Sequence, residues 1–128
     1  MKYLLSVVAF MSLLSFASAQ DANCLKRMHK GTFTYEGHEK EVTVKRTKKK
    51  QIEIFNGGKT IVVMKITWLN DSTYVLTYVK TVNLDKSPCS EIGSIITTEI
   101  TACDGDKATC NFTTAQCGSG SCVMIKLK

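Results

Sequence analysis

Polar and apolar residues alternate along much of the chain beyond its first twenty positions. Thr32-Phe33-Thr34-Tyr35 alternates polar and aromatic. Glu41-Val42-Thr43-Val44-Lys45 alternates strictly, and so does Gln51-Ile52-Glu53-Ile54. A period of two sends successive side chains to opposite faces, so each run predicts a strand with one buried and one wet face. The residue types agree, because β-branched and aromatic side chains suit a pleated surface.

Turn chemistry separates the runs. Thr47-Lys48-Lys49 lies between Val44 and Ile52. A hairpin closing Arg46 against Lys50 predicts Val44 opposite Ile52 and Val42 opposite Ile54, all four on one face. Asn56-Gly57-Gly58 is the strongest hairpin signal, since Asn and Gly tolerate the positive φ of tight turns. A long strand follows over Thr60–Leu69, with Val62, Met64, Ile66 and Trp68 in one row and Ile61, Val63 and Leu69 in the other. The turn Asn70-Asp71-Ser72 then predicts Trp68 opposite Tyr74, Ile66 opposite Leu76 and Met64 opposite Tyr78. Such pairs contribute ~0.2–1 kcal/mol each.

Thr81–Glu91 is the longest connection. Glu91–Thr101 resumes as a strand with Ile92, Ile96 and Ile100 on one face. Asp104-Gly105-Asp106-Lys107 is a turn, Ala108–Thr114 a strand, Gly118-Ser119-Gly120-Ser121 a turn, and Val123–Leu127 the last strand. No amphipathic helix of convincing length appears. About eight short strands in sequence predict an all-β antiparallel meander, closed as a barrel or folded as a sandwich. Closure removes exposed edges.

The first nineteen residues break this pattern. Lys2, an apolar run from Tyr3 to Phe16 and the Ala17-Ser18-Ala19 end form the charge, apolar core and small-residue site of an export signal. The run is too short for a stable span, which takes ~20 residues. A signal over residues 1–19 and a single secreted β domain over 20–128 are expected, and the destination is secreted or periplasmic. The formal charge of +6 falls to +5 with Lys2 gone. The excess sits in the first half, and a basic surface attracts anionic partners or simply keeps the protein in solution.

All six cysteines, Cys24, Cys89, Cys103, Cys110, Cys117 and Cys122, follow the signal. Export and an even count predict disulfides. Cys103 and Cys110 bracket one turn and Cys117 and Cys122 another, which favours those two pairs and leaves Cys24 with Cys89 among fifteen arrangements. The run C-x6-C-x6-C-x4-C lacks the C-x2–4-C units of zinc sites and the C-x-x-C of redox enzymes. No metal and no cofactor is expected.

Candidate chemistry is sparse. His29 and His38, with Glu36, Glu39 and Glu41 near the latter, make no recognised ligand set and read as surface polarity. No nucleophile elbow or phosphate-cradling loop appears, and no catalytic residue is nominated. Lys45, Arg46, Lys48, Lys49 and Lys50 form the densest basic run, a candidate anion-binding hairpin or a solvated turn that discourages edge pairing. Met64, Trp68, Tyr74 and Tyr78 are candidates for a ligand cavity inside a barrel, or for filling it. Asn70-x-Ser72 and Asn111-x-Thr113 fit the glycosylation pattern.

A cysteine soon after the signal, His29-Lys30-Gly31-Thr32-Phe33-Thr34-Tyr35, Val44-x-Arg46, Gln51-Ile52-Glu53 and Trp68-Leu69-Asn70-Asp71 with Tyr74-x-Leu76 together resemble a group of small exported Bacteroidota proteins of unknown function. The resemblance spans Cys24 to Leu76 and implies a lipocalin-like strand layout. It carries no established activity. Ser72 stands where such relatives tend to have a cysteine, so Cys24 needs another partner here. The expected function is a non-catalytic barrel that binds a small apolar ligand or acts at the cell envelope. The alternative is a module that binds an anionic polymer or surface through the basic hairpin.

Overall fold

The computed structural model describes residues 22–128; the signal-like segment Met1–Ala19 lies outside them. A short helix, α1 (Ala22–Arg27), is followed by eight strands: β1 (Gly31–Tyr35), β2 (Thr43–Arg46), β3 (Lys50–Phe55), β4 (Thr60–Trp68), β5 (Thr73–Val82), β6 (Ile95–Asp104), β7 (Lys107–Thr114) and β8 (Gly118–Lys126). Each strand pairs antiparallel with its sequence neighbours, and β8 returns to β1, so the meander closes as a barrel. The all-β expectation holds, with barrel closure in place of a sandwich.

The β4–β5 hairpin has the register its hydrophobic row requires. Trp68 lies opposite Tyr74, Ile66 opposite Leu76 and Met64 opposite Tyr78. Beyond Met64 a bulge at Val79 shifts the ladder, so Val63 meets Lys80. The inward row of β4, from Thr60 to Ile66, is buried throughout.

The β2–β3 hairpin departs from expectation by one residue. Arg46 pairs with Gln51, Lys45 with Ile52, Val44 with Glu53 and Thr43 with Ile54. A one-residue slip exchanges the two faces of a strand. Ile52 and Ile54 therefore lie outside, and Gln51 and Glu53 point in with Val44 and Arg46. The hydrogen bonds inside the barrel explain the choice. Arg46 Nε and Nη2 both donate to Gln51 Oε1, at 2.9 and 2.6 Å.

Two other expectations change. The strand foreseen from Glu91 begins at Ile95, leaving Ile92 exposed in the connection. Gly118–Ser121 is the start of β8, and the turn is Ala115–Cys117. Gly120 has a packing reason to be in a strand: it lies opposite Phe112, and a Cβ there would sit 2.5 Å from the Phe112 Cζ. The ring occupies the space a side chain would take.

Helix α1 was not legible as an amphipathic run, being only six residues. It and the following turn plug one end of the barrel. Cys24, Leu25 and Met28 are buried against Phe33, Val44 and Ile100 in one cluster. Full burial of a side chain such as Met28 contributes ~1.5–3 kcal/mol. Lys126 Nζ donates to the carbonyls of Arg27 and Lys30, and Arg27 donates to the Gly105 carbonyl.

The bridges are Cys24–Cys103 and Cys89–Cys117. Neither is a pair that the turn-bracketing argument favours. Cys103 and Cys110 are not partners: the tight turn pairs Asp104 with Lys107 and so places Ala108 opposite Cys103, while Cys110 lies opposite Ile100. The first bridge ties α1 to β6 at the plugged end. The second ties the connection between β5 and β6 to the β7–β8 turn at the other end. Cys110 and Cys122 are not bridged. Two disulfides fit an extracellular or otherwise oxidising compartment. Among the described residues, no helix is long and apolar enough to cross a membrane.

Candidate functional site

The barrel is plugged at one end and hollow at the other. A cavity of about 420 Å³ opens at the end opposite α1. Its place follows from strand polarity. The C-terminal ends of β1, β3 and β7 and the N-terminal ends of β6 and β8 surround it. Met64, Leu76, Ile96 and Phe112 supply an apolar lining, and Tyr74 and Tyr78 add aromatic walls. Glu36 and His38 stand near its mouth. There Glu36 pairs with Lys107 at 3.1 Å and His38 with Glu41 at 3.1 Å, all exposed.

Of the four candidate cavity residues, Met64, Tyr74 and Tyr78 line this space and Trp68 does not. Trp68 lies opposite Tyr74, toward the plugged end. Its ring stacks on His29 with centroids 3.6 Å apart, and tilts against Tyr74 at 4.6 Å. His29 is thereby a packing residue, and its Nε2 lies 3.1 Å from the Asp71 carbonyl.

Arg46 likewise leaves the basic run in which the sequence places it. It is only 3 % exposed. Its guanidinium sits within 4.6–5.6 Å of the ring centres of Tyr74, Phe33 and Trp68. Nη1 donates to the Met28 carbonyl at 2.6 Å. The reason is positional: with Val44 facing the core, period two turns Arg46 inward as well. Lys45, Lys48, Lys49 and Lys50 remain exposed around the hairpin.

A polar chain runs from the plug into the cavity. Arg46 donates to Gln51, and Gln51 Nε2 donates to Glu53 Oε2 at 2.9 Å. Tyr35 Oη donates to the same oxygen at 3.0 Å. Glu53 and Tyr35 both line the cavity. Burial raises the Glu53 carboxyl above its ordinary pKa of 4.5, against the lowering effect of the two hydrogen bonds and Arg46. Burial, then the neighbouring Glu53, holds the Tyr35 hydroxyl protonated well above its ordinary range. Tyr74 is pushed up to about 12, mainly by burial. The cavity wall thus carries one interior carboxyl fixed by two donors, among apolar and phenolic side chains with Thr98, Ser121 and Cys122 between them and Glu36 and His38 at the mouth. Both donors meet Oε2, so Oε1 is the atom available to a ligand donor.

Sequence reasoning missed Glu53 and Gln51 because their alternation with Ile52 and Ile54 favours the isoleucines as the buried pair. The signal that finds them is Arg46, a charge that period two turns inward with Val44 and that needs buried acceptors.

No protein family, curated protein or solved structure matches the chain.

Proposed function

We propose that this is an exported, non-catalytic carrier whose barrel holds a small, mainly apolar molecule bearing one hydrogen-bond donor. The observation that carries the reading is a cavity of about 420 Å³ with an interior carboxyl, Glu53, positioned by two hydrogen bonds. Ligand pockets span roughly 300–1,000 Å³ and pair apolar walls with a few placed polar groups. The eight-stranded, lipocalin-like layout suits that task, since a barrel of this size has room for one small ligand. The residues that line the site support binding.

The test uses native mass spectrometry of the processed protein and titration with the apolar amine N-phenyl-1-naphthylamine. A co-purified small molecule, or saturable one-to-one fluorescence enhancement lost in Leu76→Trp, is the expected result. No retained mass, together with fluorescence unchanged between wild type and Leu76→Trp, refutes the carrier reading.

A second reading rests on a different observation. On the outer face of β2–β5 the registers bring Lys45, Lys50, Lys65 and Lys80 beside Ile52, Ile54, Ile61, Val63 and Val82, with no acidic residue among them. A basic face of this kind favours an anionic polymer or surface. Retention on heparin should then fall in Lys45→Ser/Lys65→Ser/Lys80→Ser by more than an equal loss of lysines elsewhere on the surface. Equal losses refute it.

A further inference from the structure

Cys110 and Cys122 are the two cysteines that the bridges do not use. They stand directly opposite each other on β7 and β8. Both point inward. Cys110 is buried among the core residues and Cys122 lines the cavity. The same ladder defines how they face each other. Lys126 N donates to Asp106 O at 2.7 Å, and the unshifted register places Cys110–Cys122 two hydrogen-bonded pairs further along. In an antiparallel ladder such pairs recur at every second residue, so Cys110 and Cys122 form a hydrogen-bonded pair.

That position decides what a bridge between them would be like. Opposed Cβ atoms in antiparallel pairs lie roughly 4.5–5.5 Å apart, with hydrogen-bonded pairs at the wider end, whereas a disulfide wants ~3.5–4.5 Å. The two side chains face each other across the ladder, but closing the bond pulls two ladder-bonded strands together. Bridges under such strain are the labile ones. Cys24–Cys103 instead joins a helix to a strand and Cys89–Cys117 a connecting segment to a turn, outside any directly opposed ladder pair.

We propose that Cys110 and Cys122 are a redox-active dithiol in the cavity wall, closed to a cross-strand disulfide by exchange with a small-molecule disulfide and reopened by thiols. Cys122 attacks, because it faces the cavity and Cys110 is shielded behind it. The Cys122 thiolate displaces one thiolate from the small disulfide and forms a mixed disulfide. Cys110 then attacks the Cys122 sulfur and releases the second thiol. The pair loses two electrons and two protons, and one small disulfide becomes two thiols. The electrostatics run the same way: the hydrogen bond with Cys110 lowers the Cys122 pKa and, in return, raises that of Cys110. This inference stands whatever the cavity holds.

The experiment equilibrates the processed protein with reduced and oxidised glutathione at a series of ratios, then blocks free thiols and maps disulfides by peptide mass spectrometry. The Cys110–Cys122 bridge should appear and disappear across the series while Cys24, Cys89, Cys103 and Cys117 stay bridged. Cys110→Ser should accumulate a single glutathionyl adduct on Cys122, and Cys122→Ser should accumulate none on Cys110. Absence of the Cys110–Cys122 bridge at every ratio overturns the proposal. So does a bridge that resists reduction as strongly as the other two. The wild-type titration decides the matter even if neither variant folds.

Discussion

Removing the Arg46 guanidinium should destabilise the barrel although a charge leaves the interior with it. In Arg46→Ala, Gln51 Oε1 loses two donors and the Met28 carbonyl loses one. Both acceptors are enclosed at the plugged end, with Gln51 fully buried. A buried acceptor left without a partner costs ~1–3 kcal/mol. Loss of the guanidinium over Phe33, Tyr74 and Trp68 adds up to ~2 kcal/mol at a desolvated site. Relief of the desolvation penalty on the charge, several kcal/mol, works in the opposite direction. The sum favours a loss of about 3 kcal/mol. Urea unfolding of small domains has slopes of ~1–3 kcal/mol per molar, so the midpoint should drop by roughly 1–3 M. Gln51→Ala and the double variant complete a cycle. Since both single changes remove the same bonds, the double loss should fall short of the sum by about 0.5–3 kcal/mol. A midpoint drop below about 0.3 M, or full additivity, refutes the account of Arg46 as the bonded anchor of the plug.

Three further outcomes follow from other parts of the barrel. Glu53 titrates above 4.5 in the folded state because it is buried. Between that ordinary value and the raised one the native state holds the extra proton, so stability is highest below 4.5 and falls as pH rises through the window. Glu53→Gln should remove that fall, so its stability relative to wild type should improve as pH rises above 4.5 in paired urea melts; a difference independent of pH counts against a buried, proton-binding Glu53. The two bridges should rank by the chain they close: a separation of 79 gives about 4.5 kcal/mol for Cys24–Cys103 and one of 28 about 3.6 for Cys89–Cys117. Thermal melts of the paired serine variants check the order, and a larger loss at Cys89–Cys117 reverses it. Gly120→Val should cost about 1–3 kcal/mol by displacing the Phe112 ring, whereas Ser121→Val, outward on the next position, should cost much less; equal losses refute the packing role of Gly120.

What the sequence reveals and what it hides divide along one physical line. The β4–β5 hairpin is legible because one row, Met64, Ile66 and Trp68, finds a matching row, Tyr78, Leu76 and Tyr74, across a short turn. Two apolar rows admit one register that buries both. The β2–β3 hairpin misleads because its interior is partly polar. Arg46, Gln51 and Glu53 satisfy one another inside, so the more hydrophobic choice, Ile52 and Ile54, is left on the outer face. Hydropathy ranks single residues and is blind to a hydrogen-bonded set whose members are each unfavourable alone. The cysteines fail for a related reason. Nearness in sequence favours turn-bracketing pairs, but the tight turn that pairs Asp104 with Lys107 puts Ala108, not Cys110, opposite Cys103, and that cysteine bridges to Cys24 on α1. The candidate site stands on the polar set that periodicity alone undervalues. The plug needs Arg46, Arg46 needs Gln51, and Gln51 holds the carboxyl of Glu53 in the cavity wall. A single shift of the β2–β3 register would turn Gln51 and Glu53 outward and leave the hollow end without its interior carboxyl. The register of one hairpin therefore carries both the stability of the closed end and the chemistry of the open one.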